Sequence, residues 1–163
     1  MLTLIASFVA CNEDQGPQPL EQNSNAPAEV TNVTVENLPG KAKLTYTLPS
    51  DDDLLYVVAR YKLENGMPME VKASYYSNSM LLEGFTGQST NEVKVYAVNR
   101  SETESKPITV TVAPLKAPIF NIYESLTAQA DFGGIRIKAN NPTKEEIGIL
   151  VMQKNIQGDW VPL

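Results

Sequence analysis

Between residues 28 and 113, apolar and polar side chains alternate with a period of two, and this pattern constrains the fold more than any other feature. In residues 41–48, for example, Ala42, Leu44 and Tyr46 alternate with lysines and threonines. The same alternation, rich in β-branched residues, recurs in residues 33–38, 57–63, 71–73, 93–98 and 108–112. Strict alternation predicts β-strands with one face buried and the other in solvent.

Short runs of turn-forming residues separate these predicted strands. The alternation is interrupted at residues 39–40, 49–51, 65–66, 84–91 and 99–107. Turn signals at this spacing are typical of antiparallel sandwiches. We therefore predict one all-β, immunoglobulin-like domain with seven strands in residues 28–113, and no amphipathic helix anywhere in the chain.

A second set of predicted strands follows a proline-bounded linker at residues 114–118. These strands are predicted at residues 119–123, 135–139, 147–152 and 160–163, with turns at residues 133–134 and 157–159. Residues 119–163 thus hold about half of a sandwich, which would leave apolar surface and strand edges exposed. We therefore expect an incomplete second β-sandwich domain, and a natural protein that continues beyond Leu163.

Composition excludes several classes of function. The formal net charge is −6 and there is no Lys/Arg cluster, so the electrostatic footprint of a nucleic-acid-binding protein is missing. One cysteine and no histidine exclude Cys/His metal sites and the Ser-His-Asp and Cys-His catalytic arrangements. We expect no cofactor, no metal and no enzymatic activity.

The single cysteine, Cys11, directly follows an apolar run, residues 2–10. Signal peptides need an apolar stretch of about 7–15 residues with small residues before the cleavage site, and Ala10 is small. The run is too short to span a bilayer, which takes about 20 apolar residues. We predict that residues 1–10 are a lipoprotein signal peptide with a truncated basic segment, and that Cys11 is the lipid attachment site. The alternative is a buried N-terminal strand with an unmodified cysteine.

The residues after Cys11 predict a tether. Residues 12–27 are polar and contain proline-bearing runs at 15–19 and 23–27. A segment with so few apolar residues cannot bury enough surface to fold by itself. Residues 11–27 are therefore predicted to be a disordered tether between the membrane and the first domain.

Two carboxylate runs, at residues 51–53 and 145–146, offer groups for metal binding or acid–base chemistry. Asp51-Asp52-Asp53 could bind Ca²⁺, which takes about six to eight oxygen ligands, but no further acidic residue follows at a supporting spacing. Glu145-Glu146 could form an acid–base pair, but adjacent residues in an extended segment point to opposite faces. A solvated loop is the favoured interpretation of both runs.

Two aromatic residues, Tyr76 and Trp160, are candidates for ligand contact. Tyr75 and Tyr76 are neighbours between two weak predicted strands, so one should face the core and the other solvent. An exposed tyrosine can stack on a sugar ring, and Tyr76 is the candidate for this contact. Trp160 is a second candidate. For all three aromatic residues, a structural role is favoured, which for Trp160 means a position in the core of the incomplete sandwich.

Several segments resemble known families. Residues 43–49, 57–61 and 93–99 resemble the B, C and F strands of a fibronectin type III domain. Asn91 stands where that family has its corner tyrosine, so the corner between the E and F strands must be held in another way. Residues 8–11 resemble a lipobox, and residues 12–14 resemble the acidic export signal of Bacteroidota surface lipoproteins.

Residues 11–163 as a whole resemble a Bacteroidota surface lipoprotein family of unknown function. Its members carry a fibronectin type III-like domain and then a second β-sandwich with a motif like that of residues 131–137. A discoidin-like sugar-binding domain often follows in full-length relatives. The resemblance implies a cell-surface protein held in the outer membrane through Cys11, with glycan or the proteins of an outer-membrane uptake complex as partners.

These observations lead to one functional hypothesis and two alternatives. The hypothesis is a non-catalytic surface lipoprotein whose sandwich domains act as a spacer and present a glycan-binding region. The first alternative is a set of accessory domains at the N-terminus of a larger glycan-degrading hydrolase. The second is a structural subunit that docks on other proteins through the exposed edge of its second domain.

Overall fold

The computed structural model describes residues 23–87 and 89–162, so the predicted signal peptide and Cys11 lie outside the described residues. Seven strands form the first unit: β1 (Thr31–Leu38), β2 (Lys41–Thr47), β3 (Leu54–Lys62), β4 (Pro68–Ser74), β5 (Ser79–Glu83), β6 (Asn91–Asn99) and β7 (Ile108–Val112). The all-β sandwich prediction is confirmed. The alternating pattern located every one of these strands except β5.

The seven strands form two sheets, and all neighbouring strands are antiparallel. The strand order is β1-β2-β5 in one sheet and β4-β3-β6-β7 in the other. The inward residues of both sheets make one continuous core, because side chains along a strand alternate between its two faces. Its fully buried members include Ala42, Leu44, Val57, Ala59, Leu82, Val93, Val95 and Ala97.

Antiparallel pairing places the loops alternately at the two ends of the sandwich. The β2–β3, β4–β5 and β6–β7 loops lie at the end where β1 begins, which we call the N-terminal end. The β1–β2, β3–β4 and β5–β6 loops lie at the opposite end, where β7 finishes and which we call the C-terminal end. The chain therefore enters the sandwich at one end and leaves it at the other.

The corner between β5 and β6 is held without a tyrosine at position 91, as the sequence required. The hydroxyl of Tyr61 donates to the carbonyl of Glu83 at 2.9 Å and accepts from its amide at 3.2 Å. The ring of Tyr61 stacks on Phe85 with the ring centroids 5.0 Å apart. The carboxylate of Glu64 accepts hydrogen bonds from the amide and hydroxyl of Thr86, at 3.1 and 2.8 Å. A tyrosine from β3 and a glutamate from the next loop thus replace the corner tyrosine.

The second unit has one helix and two hairpins among the described residues. Its elements are α1 (Pro118–Glu124), β8 (Thr127–Asp131), β9 (Gly134–Lys138), β10 (Met152–Lys154) and β11 (Trp160–Pro162). β8 pairs with β9, and β10 pairs with β11. The predicted turns are confirmed: Gly133 and Gly158 take positive φ values of 78° and 90° between the paired strands.

Helix α1 corrects two predictions, the strand at residues 119–123 and the absence of helices. Pro118 occupies the first helical turn, where its fixed φ is suited to a helix and its missing N–H is not needed. Ile122 is the buried residue of the helix. Short apolar runs cannot be assigned to helix or strand by periodicity alone, and here the proline was the informative signal.

The predicted strand at residues 147–152 is also mostly wrong. Only its last residue, Met152, belongs to a strand, and residues 147–150 are neither helix nor strand. Ile149 and Leu150 are 49% and 68% exposed. Strand propensity mainly measures how well a side chain packs against neighbouring strands, and no strand pairs with these residues within the described ranges.

Candidate functional site

The N-terminal end of the sandwich binds the chain segment that leads into it. Asn99, at the end of β6, is fully buried. Its side-chain NH₂ donates to the carbonyls of Asn23 and Asn25 at 3.4 and 3.0 Å. Its side-chain oxygen accepts from the amides of Ser101 and Thr103 at 3.0 and 2.9 Å. A single buried amide therefore joins residues 23–25 to the β6–β7 loop.

Two aspartates of the predicted solvated run hold the same segment. The carboxylate of Asp53 accepts from the side-chain amide of Asn23 at 2.7 Å, and that of Asp51 accepts from the backbone amide of Ala28 at 2.8 Å. We call these contacts, together with those of Asn99, the N-terminal clamp. They correct two expectations: the run is more than a solvated loop, and residues 23–27 of the predicted tether lie against the sandwich.

The C-terminal end holds the segment that leaves the sandwich. The amide of Leu115 donates to the carbonyl of Leu38 at 3.0 Å, and the amide of Gly40 donates to the carbonyl of Leu115 at 2.8 Å. The amide of Ala117 donates to the carbonyl of Thr86 at 2.9 Å. We call this set of contacts the C-terminal clamp. It attaches the predicted linker, residues 114–118, to the β1–β2 and β5–β6 loops.

Two glycines make room for the C-terminal clamp. Gly87 has a φ of +80°, and a Cβ at this position would lie 2.1 Å from the carbonyl oxygen of Leu115. Gly40 has a φ of +69°, and its Cβ would lie 3.0 Å from the Cβ of Ala117. At Gly87 in particular, any side chain would displace the linker backbone.

The outer face of the β4-β3-β6-β7 sheet carries a paired network of charges. Arg60 binds Glu104 through two nitrogens, at 2.9 and 2.5 Å, and Glu70 through its Nε at 2.8 Å. Its guanidinium carbon lies 5.1 Å from the centre of the Tyr96 ring. The hydrogen bonds that Arg60 donates to Glu104 and then to Glu70 raise the pKa of Arg60. A shallow depression of about 750 Å³ lies beside this network, next to Pro68.

Tyr75 and Tyr76 lie in the β4–β5 loop at the N-terminal end, and we call them the tyrosine pair. Their ring centroids are 3.9 Å apart and their hydroxyls are hydrogen-bonded to each other. Tyr75 is half-buried and packs against the core, whereas Tyr76 faces solvent, as expected, although both residues belong to a turn rather than to a strand. Tyr76 is 82% exposed.

Trp160 is 62% exposed in β11, so the expected core position is wrong for the described residues. The Nζ of Lys154 lies 5.3 Å from the centre of its ring. Tyr76 lies at the N-terminal end of the first sandwich, whereas the unit that contains Trp160 follows its C-terminal end. The structure does not bring the two candidates together, and a sugar contact by either one stays a prediction.

Glu145, of the second carboxylate run, lies near a lysine of the first sandwich. The carboxylate of Glu145 lies 3.9 Å from the Nζ of Lys41, which is bound more closely by Glu83 at 2.9 Å. Groups of three or more potential metal ligands are absent from residues 23–87 and 89–162. The same ranges contain no helix that is long and apolar enough to cross a bilayer.

Comparison with known families identifies the larger part of the chain. Residues 27–114 match a domain of unknown function, DUF4959, over more than half of the sequence. The chain belongs to the DUF4959 family. Residues 115–163 match a second domain of unknown function, DUF5126, so the boundary between the two matches falls directly before Leu115 of the C-terminal clamp. No curated protein matches this DUF4959 chain.

A solved structure confirms the fibronectin type III likeness of the fold, and two further similar structures have lower TM-scores. The chicken CNTN1 FN1–FN3 domains superpose with a TM-score of 0.51 at 21% identity, over 56% of this chain and 33% of that one. The fn3 domain of the human collagen alpha-1(XX) chain gives 0.48 at 16% identity, over 60% of this chain and 92% of that one. A glycoside hydrolase domain, Endo-D from Streptococcus pneumoniae R6, gives 0.42 at 19% identity, over 55% and 15%. Likenesses at this level concern the fold alone, since one fold hosts many functions.

Proposed function

We propose that this chain is a non-catalytic, membrane-anchored spacer of a cell-surface protein that binds glycan or takes part in its uptake. The observation that carries the spacer role is the placement of the two clamps. The N-terminal clamp fixes the incoming chain at one end of the sandwich, and the C-terminal clamp fixes the outgoing chain at the other.

The spacing follows from the strand lengths. β3 has nine residues, and a strand rises by about 3.3 Å per residue, so the two ends lie about 30 Å apart. Hydrogen bonds at both ends favour a fixed orientation of whatever follows residue 117. A spacer with swivelling ends would need neither the buried Asn99 nor the close approach of Gly87 to Leu115.

The anchor and the glycan partner rest on the sequence. The support for the anchor is Cys11, which directly follows an apolar run of signal-peptide length. The support for glycan is the resemblance to surface lipoproteins described above. A lipidated cysteine carries more than one acyl chain, which gives stable rather than marginal membrane binding.

The experiment that tests the anchor is membrane fractionation of cells that express the wild-type chain or Cys11→Ala. We expect the wild type in the membrane fraction and the variant in the soluble fraction. A variant that stays with the membrane would refute lipidation at Cys11. A parallel assay for reducing sugars released from polysaccharides should show no activity above background, and a clear release would favour the hydrolase alternative.

A further inference from the structure

The tyrosine pair lies at the N-terminal end of the sandwich, beside the N-terminal clamp. The amide of Tyr75 donates to the carbonyl of Leu55 at 3.3 Å, and the amide of Arg100 donates to the carbonyl of Asp53 at 2.9 Å. The β2–β3, β4–β5 and β6–β7 loops are therefore joined into one surface. Asp53, which holds Asn23, belongs to this surface as well.

The proposed anchor sets how far this surface can lie from the membrane. Asn23 follows Cys11 by twelve residues, and a fully extended chain spans at most about 3.5 Å per residue, or roughly 40 Å here. The second unit starts from the opposite end of the sandwich. An anchored molecule can therefore bring the loops with Tyr75 and Tyr76 against the lipid, while the second unit points away.

The tyrosine pair is chemically suited to the boundary between lipid and water. Tyrosine combines an apolar ring with a polar hydroxyl and is enriched where proteins meet lipid headgroups. Tyr76 is 82% exposed, so its ring is available for contact with another surface. The stacked neighbour, Tyr75, is half-buried and packs against the core, so it supports the exposed ring of Tyr76 at this surface.

The charges at the N-terminal end indicate which lipid headgroups this end would contact. Apart from Glu104, which binds Arg60, these loops carry four carboxylates and two cations: Asp51, Asp52, Asp53, Glu102, Arg100 and Lys106. Carboxylates exceed cations by two, so the charge at this end gives no attraction to anionic lipid. The contact should therefore suit zwitterionic or uncharged headgroups and change little with salt.

We propose that the tyrosine pair is a lipid-contact surface that orients the anchored spacer with its C-terminal end away from the membrane. This inference rests on the membrane anchor of the proposed function. A contact of two tyrosines is too small to recruit a protein from solution. A tether of this length gives a millimolar effective concentration, at which a weak contact becomes populated.

The test uses Cys11 itself, because the only cysteine of the chain can be coupled to a maleimide lipid. Coupling to phosphatidylcholine vesicles supplies the anchor whether or not cells lipidate this residue. A negative result with these vesicles would therefore refute the tyrosine contact alone. Lipidation at Cys11 is tested separately, by fractionation of Cys11→Ala. In a Trp160→Phe background, Tyr76→Trp places a single fluorescent reporter at the N-terminal end, and Met67→Trp places a matched reporter in the β3–β4 loop at the C-terminal end.

We expect lipids brominated on their acyl chains to quench the reporter at position 76 and to shift its emission to the blue, with the reporter at position 67 unchanged. A Leu55→Trp reporter beside the pair should also be quenched, and should lose the quenching when Tyr75 and Tyr76 are both changed to serine. Three results would each overturn the proposal. They are equal quenching at positions 76 and 67, no quenching at position 76, and quenching of Leu55→Trp that persists after both tyrosines are changed to serine. Emission at position 76 that responds to neutral polysaccharide but not to vesicles would instead assign the surface to sugar.

Discussion

Alanine at Gly87 should separate the contribution of the C-terminal clamp from an ordinary backbone penalty. Gly87 and Gly66 have nearly the same φ, +80° and +82°, and an L-residue in this left-handed region costs about 1–2 kcal/mol. The Cβ at position 66 would meet nothing within 4 Å, whereas the Cβ at position 87 would lie 2.1 Å from the Leu115 carbonyl oxygen. Gly66→Ala is therefore a matched control for Gly87→Ala.

The extra cost at Gly87 follows from the hydrogen bonds that a displaced linker would lose. Three backbone hydrogen bonds hold Leu115 and Ala117 in place, and each contributes about 0.5–1.5 kcal/mol net. Leu115 is 55% exposed, so the lower part of that range applies and the loss is about 2 kcal/mol. We expect Gly66→Ala to lower the free energy of unfolding by about 1 kcal/mol and Gly87→Ala by about 3 kcal/mol.

Urea unfolding of the full chain, followed by far-ultraviolet circular dichroism, measures both free energies. Hydrogen exchange provides a local readout, since the amides of Leu115 and Ala117 should lose protection in Gly87→Ala and keep it in Gly66→Ala. If the two variants are destabilised equally, within about 0.5 kcal/mol, and exchange at Leu115 and Ala117 is unchanged, the linker is not clamped as described.

Three further predictions concern buried polar groups of the first sandwich. Asn99→Ala removes four hydrogen bonds of a buried amide and should cost about 2–4 kcal/mol by urea unfolding, with no comparable loss in the exposed control Asn78→Ala. Tyr61→Phe should cost about 1–2 kcal/mol because it strips the Glu83 backbone of its partner, whereas Tyr46→Phe should be neutral or stabilising, since the buried Tyr46 hydroxyl finds no partner within the described residues. Burial raises the pKa of Tyr46 to about 12, above its value of about 10 in the unfolded chain, so its titration leaves stability unchanged below pH 10 and lowers it as the pH rises towards 12. Between pH 10 and 12 the free energy of unfolding should fall by up to about 1.4 kcal/mol per pH unit more in the wild type than in Tyr46→Phe. If the two proteins give parallel plots of this free energy against pH, Tyr46 ionises equally in the folded and unfolded states.

The sandwich was predictable because its signal is local and repeated. In β2 and β6 the alternation of apolar and polar residues directly reports which face is buried. β5 was not located because its short run, Ser79–Glu83, has only two buried residues, Met80 and Leu82. Helix α1 was not predictable from residues 119–123, because this short stretch, apolar except for Asn121, fits a strand as well as a helix.

The clamps were not predictable in the same way, because they depend on contacts distant in sequence. Asn99 binds residues 74 and 76 positions earlier, and nothing in its immediate neighbourhood specifies them. A buried amide needs partners, but the sequence does not show that Asn99 is buried, because asparagine is mostly exposed in folded proteins. Gly87 carried no signal either, since loop glycines are common and its close approach to Leu115 follows only from the folded backbone.

The width of the distance distribution across the C-terminal clamp tests the spacer claim most directly. In a Cys11→Ser background, spin labels at Asp52→Cys and Tyr123→Cys report the distance from the N-terminal end of the sandwich to helix α1. We expect a single narrow distribution by double electron–electron resonance, and a broad one when Gly87→Ala is added. The clamped spacer would be contradicted if the distance distribution is already broad without Gly87→Ala and does not change when this substitution is added.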